Sequence, residues 1–175
     1  MQHMDFNTRI NRKILIDWFP NLAKDTVFKL TSPDTPVYNC IAWAMGFTDR
    51  WVDHFSAAGH WWPQSVEKDD TCQSLLNAFL ALGFEPTDNY NYNASYDKVV
   101  LYGYDGKWKH ASRILENNIE HSKFGALWDG IHGHNVFQDD IYGIAYACVQ
   151  RPIDSFDPKQ HPLAGRIKIL KKPIW

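Results

Sequence analysis

Apolar residues recur every three or four positions in two stretches of the first half of the chain, which is typical of amphipathic helices. The first stretch covers residues 7–19 and stops at Pro20. The second begins after Thr71, a good N-cap residue, and runs to about Leu82, just before Gly83. The spacing predicts one helix in each stretch, with its apolar face turned toward a core.

A third, shorter segment lies between them and has a different pattern. Residues 40–45 read Cys-Ile-Ala-Trp-Ala-Met, so every position is apolar. Asn39 in front of the segment is a good N-cap residue, and Gly46 behind it is a suitable helix stop. Because a helix that is apolar on all sides belongs inside a protein, this segment predicts a buried central helix that begins with Cys40.

After Gly83 the apolar period changes from about 3.6 to 2, which is typical of β-strands. Tyr104-Asp105-Gly106 is a tight hairpin turn between two of them. Strands are predicted over residues 98–102, 108–115, 119–124 and 141–149, with a possible fifth over 166–170. Since the helices come first and antiparallel strands follow, the predicted fold class is α+β.

The length of 175 residues fits one domain with a single core. We treat residues 1–4 as a start or cloning remnant and assign 5–175 to one domain, in which 153–175 form a C-terminal extension. A charged fraction of 22% and a net charge of −2 give no electrostatic footprint for nucleic acid or an anionic membrane. The apolar runs are too short to span a bilayer, and no signal peptide is expected.

Aromatic residues make up 15% of the chain and include 8 Trp, which predicts an aromatic core, an aromatic binding groove, or both. Of the adjacent pair Trp61 and Trp62, we expect one indole inside the core and the other along a substrate groove. Three cysteines are too few for a disulfide scaffold, which favours a protein that works in a reducing compartment.

Cys40 is the first candidate for chemistry. A thiol just inside the N-terminus of a helix is expected to have a lowered pKa, because the free N–H groups there favour the thiolate. His110, at the start of a predicted strand, is the best candidate for the base that a thiol catalyst needs. Ser122 lies on the next strand, close enough across a hairpin to orient the imidazole.

Each of these residues also has a plainer interpretation. Cys40 could be an ordinary buried cysteine, His110 a histidine bound to a nearby carbonyl, and Ser122 an exposed hydroxyl. Lys123 could contact a substrate or simply be solvated. The pair His132 and His134, with His121 and Asp129 nearby, lacks the spacing of a helical zinc motif, so no metal and no cofactor are predicted.

Taken in order, the motifs of this chain resemble those of the papain-like cysteine peptidase superfamily, in particular a bacterial, toxin-like branch. The motifs cover roughly residues 15–152 and are Tyr38-Asn-Cys-Ile-Ala-Trp-Ala44, Trp61-Trp62, Gly83-Phe-Glu85, Lys98-Val-Val-Leu-Tyr102, His110-Ala111, Ser122-Lys-Phe-Gly125 and Tyr142-Gly143 to Arg151-Pro152. The resemblance implies a papain-like fold, in which a buried helix carrying the catalytic cysteine packs on an antiparallel sheet.

The resemblance also implies roles for particular residues. Cys40 would be the nucleophile and His110 the general base and acid, while Ser122 takes the position at which wall-degrading relatives carry a His, Asn or Asp. A serine cannot supply negative charge to an imidazolium, so Asn39, His121 and Asp129 are alternatives for this third role. The residues assigned to substrate binding are Asn39, Trp61, Trp62 and Lys123.

The implied activity is that of a cysteine protease that cleaves a peptide bond in a target protein through an acyl-enzyme. A glutamine deamidase or transglutaminase and a cell-wall peptide amidase are chemical alternatives, and a non-catalytic protein-binding module is the alternative outside enzymes. Toxin-like relatives imply secretion by a bacterial delivery system, action in the cytoplasm of the target cell, and a cognate immunity protein that covers the site.

Overall fold

The computed structural model describes residues 5–55, 58–134 and 136–153. Its helices are α1 (Arg9–Trp18), α2 (Cys40–Met45) and α3 (Cys72–Leu80), with 3₁₀ turns at Pro20–Lys24 and Glu116–Asn118. Its strands are β1 (Lys29–Leu30), β2 (Trp51–Val52), β3 (His60–Trp61), β4 (Glu85–Pro86), β5 (Tyr96–Tyr104), β6 (Lys107–Ile114), β7 (Glu120–Lys123), β8 (Asp129–His132) and β9 (Ile144–Pro152).

Seven of these strands form one antiparallel sheet in the order β1-β8-β7-β6-β5-β9-β4, so β6 is the central strand. The two remaining strands, β2 and β3, pair in parallel beside it as a small separate sheet. The structure is therefore a mixed α/β fold with a large antiparallel sheet and a few helices, as the change of apolar period predicted.

All three predicted helices are present, and their caps explain where they begin. Asn39 accepts a hydrogen bond from the Ala42 amide at 3.0 Å, and Gly46 ends α2 in the left-handed conformation with φ 97°. Thr71 caps α3 in the same way through the Ser74 amide. These are local signals within a few residues of each other, which is why they could be predicted from the sequence.

The sheet carries a hydrophobic core on each face. Alternate residues of the strands, such as Val99, Leu101 and Ala111, pack with α2 and α3 on one side. The residues between them, such as Tyr102 and Ile114, pack with α1 and the turn that follows it on the other side. We call these the α2 face and the α1 face of the sheet.

Several strand predictions need correction. Strand β8 was not predicted, because its sequence Asp-Gly-Ile-His has no apolar alternation; pairing with β7 and β1 determines it instead. The predicted strand over 141–149 begins only at Ile144, since residues 139–143 form a turn in which Asp139 and Gly143 have positive φ. The predicted fifth strand, the remnant 1–4 and residues 154–175 of the extension lie outside the described residues.

None of the helices in the described part of the chain has the length and apolar character needed to cross a membrane.

Candidate active site

Cys40 is the first residue of α2, and its side chain is buried, with 8% of the residue exposed. Burial raises the pKa of its thiol to about 11, although the backbone amides of Ala111, Ile41 and Cys40 itself and the charge of Lys123 act to lower it. The expected lowering of the thiol pKa is therefore wrong in sign, because loss of solvent outweighs the amides. At neutral pH the sulfur is a protonated thiol.

The amide of Ala111 is available to this sulfur because of the way the central strands pair. Strands β6 and β7 are in register only where Arg113 lies opposite His121 and Ile114 opposite Glu120. The earlier part of β6 has no β7 residue opposite it in this register, so its backbone is left open to α2. The thiol thus lies beside the residue that directly follows His110.

His110 is completely buried on the α1 face of the sheet. Its ring stacks on Tyr142 with centroids 4.0 Å apart and an interplanar angle of 1°, and it lies edge-on to Phe137. Its Nε2 shares a hydrogen bond of 2.9 Å with Ser122 Oγ, whereas its Nδ1 is buried and has no hydrogen-bond partner. Burial and the neighbouring His132 hold the pKa of His110 well below its usual value, so the imidazole is neutral at pH 7.

The Cys40 thiol lies on the α2 face beside Ala111, and the His110 imidazole lies on the α1 face of the same strand, β6. Strand alternation turns Ala111 toward the α2 face and His110 toward the α1 face. Because Nε2 binds Ser122 and Nδ1 has no partner, no hydrogen bond joins His110 to Cys40 in the described residues. Tyr142 stacks on His110, and its pKa is raised by burial and by the negative charge that Cys40 carries when it is ionised.

Ser122 is fully buried, so its interpretation as an exposed hydroxyl is wrong. Besides His110, its Oγ contacts His132 Nε2 at 2.8 Å, and His132 Nδ1 lies 2.9 Å from the carbonyl oxygen of Gly133. The three side chains form a continuous line of hydrogen bonds from His110 to the backbone. The sequence analysis considered His132 only as a possible metal ligand and not as a partner of Ser122, because it lies on β8, the strand that the apolar pattern did not indicate.

A second buried polar group lies next to this line. The carboxylate of Glu120 accepts hydrogen bonds from Tyr102 and Ser112, and it pairs with His134 Nδ1 at 2.7 Å. Burial would raise the pKa of Glu120, but these hydrogen bonds, the one from His134 most of all, hold it below its usual value. The same pairing raises the pKa of His134. The Nδ1 atom of His134 is therefore already paired with the Glu120 carboxylate.

Two of the three alternatives for the third role, His121 and Asp129, lie on the α2 face. His121 is edge-on to Trp43, with ring centroids 4.9 Å apart, and its Nε2 contacts Thr31 Oγ1 at 2.9 Å. Asp129 accepts a hydrogen bond of 2.9 Å from the Tyr38 hydroxyl. Ser122 is the residue whose side chain is hydrogen-bonded to the imidazole of His110.

Asn39 and Lys123, assigned to substrate binding, are engaged inside the protein. Besides capping α2, Asn39 donates to the Val52 carbonyl at 2.7 Å and so ties β2 to the start of the helix. Lys123 is fully buried, and its ammonium donates to the carbonyl oxygens of Thr35, Gly125 and Leu127. The lysine is thus not solvated, and its ammonium is bound by backbone oxygens; its positive charge also lowers the pKa of Cys40.

One member of the tryptophan pair is buried, as expected, and the other is half-buried. Trp62 is buried, donates from Nε1 to the Glu67 carbonyl at 3.1 Å and stacks on Trp108. Trp61 is half-buried and lies edge-on to Phe47, a residue of the core around α2. Whether Trp61 lines a substrate groove stays a prediction.

In the described ranges, no group of three or more His, Cys, Asp or Glu side chains is arranged to hold a metal ion. Two surface cavities, of about 580 and about 530 Å³, open elsewhere on the molecule. The first lies along β5 and β6 near Arg113, and the second lies at the β5–β6 hairpin near Cys72. Cys40 and His110 line neither of them.

Comparison with known proteins identifies the family of this chain. The structure defines a mixed α/β domain with a buried thiol and imidazole at its central strand. Residues 29–150, about 70% of the chain, match the DUF7689 family, whose description is a domain of unknown function. The chain therefore belongs to the DUF7689 family. No curated protein and no solved structure matches the chain significantly.

Proposed function

We propose that this protein is a cysteine hydrolase with a papain-like fold, in which Cys40 forms an acyl-enzyme and His110 is the base. One observation carries the proposal: the His110 imidazole is held by Ser122 through one nitrogen, while its other nitrogen is buried without a partner. An unsatisfied buried nitrogen costs folding free energy, and such groups are often found at catalytic sites. The thiol of Cys40 lies beside the adjacent residue, Ala111.

The directions of the two pKa shifts determine how the attack would begin. Because the thiol is protonated and the imidazole is neutral at pH 7, the resting site holds no ion pair. The thiol proton therefore moves to His110 as sulfur attacks the amide carbonyl, so that a C–S bond forms while the S–H bond breaks. His110 then returns that proton to the leaving amine as the C–N bond breaks.

Water completes the reaction by the reverse sequence. His110 takes a proton from the attacking water as the water oxygen forms a C–O bond with the acyl carbon. His110 then gives this proton to the sulfur as the C–S bond breaks, which releases a carboxylic acid and restores the thiol. The backbone amides of Ile41 and Ala111, which already interact with the sulfur, are the donors available to an oxyanion formed next to it.

The same acyl-enzyme serves several substrates. Cleavage of a peptide bond in a target protein is the main proposal; deamidation or transamidation of glutamine and cleavage of a cell-wall peptide use the same first step. Secretion into a target cell and protection of the producer by an immunity protein remain predictions from the resemblance.

The burial of both groups favours a second candidate function, a protein-binding module without catalysis. Cys40 is 8% exposed and His110 is not exposed, so a substrate carbonyl reaches the sulfur only if neighbouring side chains move. A binding module that retains a catalytic fold would need neither access nor reactivity at this position.

The two functions are separated by incubating the protein with bacterial lysate proteins and with isolated cell-wall peptides. Mass spectrometry then detects new amino termini, and a coupled assay detects released ammonia. For a hydrolase we expect new termini, or ammonia in the case of a deamidase, that vanish with Cys40→Ala. They should persist with Cys148→Ala, which removes a buried thiol from the α1 face. Identical products from wild type and Cys40→Ala would refute the hydrolase and leave the binding module.

A further inference from the structure

We infer that His132 is a positioning residue that fixes the tautomer of His110 through Ser122, so that the unpartnered Nδ1 of His110 is a proton acceptor. This inference deepens the proposed function and rests on it for its catalytic meaning. It is derived from the direction in which each hydrogen bond of the buried line must run.

The direction is set at the backbone end of the line. A carbonyl oxygen only accepts hydrogen bonds, so His132 Nδ1, 2.9 Å from the Gly133 oxygen, must carry a hydrogen. Burial lowers the pKa of His132 and keeps the ring neutral at pH 7. A neutral imidazole carries one hydrogen, so Nε2 of His132 has none and accepts.

Ser122 transmits this direction. Its hydroxyl has a single hydrogen, which points to His132 Nε2 at 2.8 Å, because that nitrogen can only accept. The remaining contact of the hydroxyl oxygen, at 2.9 Å from His110 Nε2, must then be one in which the oxygen accepts. His110 therefore carries its hydrogen on Nε2 and a lone pair on Nδ1.

The carbonyl at the start of the line is itself held in place. The Gly133 amide donates to Asp25 Oδ2 at 2.6 Å, which ties the end of β8 to the loop before β1. A Cβ atom at position 133 would lie 3.3 Å from Asp25 Oδ1, so glycine allows this close approach. Glu120, which lies opposite His132 in the sheet, is satisfied by other donors.

The line of hydrogen bonds through His132 explains how Ser122 can orient His110 at a position where a carboxylate or amide side chain is expected. A lone hydroxyl can donate or accept, so it does not select a tautomer. A hydroxyl whose hydrogen is committed to His132 can only accept, and it therefore selects the Nε2–H form of His110. The selected form is the one whose lone pair is on the nitrogen without a hydrogen bond.

The test is long-range ¹H–¹⁵N correlation NMR of the histidine rings at pH 7, with the His110 signals assigned from a His110→Ala sample. We expect Nδ1 of His110 to resonate as an unprotonated nitrogen and Nε2 as a protonated one. His132→Gln keeps an acceptor oxygen for Ser122 and should preserve this tautomer, whereas His132→Leu should give a mixture of both. If His132→Leu fails to fold, Ser122→Ala makes the same comparison.

A protonated Nδ1 in wild type overturns the inference, and so does a His132→Leu protein with an unchanged tautomer. The rate provides the second comparison. If Cys40 is catalytic, kcat/KM should fall in His132→Leu in proportion to the loss of the Nε2–H tautomer, about twofold for an equal mixture, and should stay near the wild-type value in His132→Gln. A tautomer as expected, in a protein whose Cys40→Ala variant gives the same products as wild type, would refute the proposed function and leave the positioning role intact.

Discussion

At the scale of single residues, burial sets the protonation states of the candidate site. The cap position of Cys40 suggested a thiolate, because a cysteine near free amides is usually stabilised as the anion. The fold places the sulfur where little solvent remains, and the cost of desolvating a negative charge exceeds the help from three amides and a buried lysine. The sequence predicts that backbone amides lie near the sulfur, but it does not show how deeply the sulfur is buried.

Alkylation tests this ordering of effects. With iodoacetamide at pH 7.5, we expect Cys72, the half-buried thiol, to react before Cys40 and Cys148, which are buried. Because the pKa of Cys40 is raised to about 11, its rate should then rise about tenfold for each pH unit toward that value. Peptide mass spectrometry at short reaction times measures each thiol separately. Fastest labelling of Cys40 at pH 7.5, with a rate that does not change with pH, would show a preformed thiolate instead.

At the scale of elements, the start of α2 depends on one amide side chain. Asn39 caps the helix through Oδ1 and binds β2 through Nδ2, so it joins two elements beside Cys40. The structure favours this role over the substrate contact that the sequence suggested.

Substitution separates the helix cap made by Asn39 from its hydrogen bonds with the backbone of Val52. Asn39→Ala removes both and should lower the free energy of unfolding by about 1–2 kcal/mol, measured by urea denaturation. Asn39→Ser keeps a hydroxyl acceptor for the cap and loses the donor to the Val52 carbonyl without burying a charge, so its loss should be smaller. Thr71→Ala, which removes the cap of α3, is the matched control, with an expected loss of about 1 kcal/mol and no effect on Cys40 labelling. A stability of Asn39→Ala equal to wild type would contradict the capping role.

Elements of this fold could be predicted from the sequence where the interactions that determine them are local along the chain. Helices α2 and α3 could be predicted because their caps lie within three residues along the chain. Strand β8 could not, because its neighbours in the sheet come from residues 29–30 and 120–123. For the same reason Ser122 was recognised as a neighbour of His110, across one hairpin turn, while His132 was not.

At the scale of the whole molecule, the site lies where the two cores meet. Strand β6 is central in the sheet, with Cys40 on the side of α2 and His110, Ser122 and His132 on the side of α1. Both layers therefore have to be packed for the thiol and the imidazole to share an environment. This arrangement also places several histidines in the interior without charge.

That burial predicts acid sensitivity of the fold. The pKa values of His110, His121 and His132 are all lowered, that of His121 to about 3, chiefly by burial. Below about pH 6.5 the unfolded chain binds protons that the folded protein does not, so stability falls as the pH drops. The raised pKa of His134 acts in the opposite sense, but it belongs to one partly exposed residue.

We expect the urea midpoint to be nearly constant between pH 8 and 7 and to fall steadily from pH 6.5 to 4.5, and to recover on return to pH 7. Each buried histidine contributes up to about 1.4 kcal/mol per pH unit over this interval. His121→Gln should make the decline shallower, because one of these groups is removed. A midpoint that stays constant down to pH 4.5 would show that the three rings are already protonated in the fold or accessible to water.

Phe19 lies just after α1, and its ring packs on Tyr142 with centroids 4.6 Å apart and on Phe137 at 5.0 Å. Those two aromatic side chains enclose His110, and Asp25, a few residues further on, anchors Gly133. Phe19 and Asp25 both precede residue 29, where the match to the family begins. A shortened chain that keeps only the matched range would contain every residue proposed for catalysis. Without Phe19 the aromatic side chains around His110 would be open to water on the α1 face, and without Asp25 the Gly133 end of the hydrogen-bond line would lose its anchor.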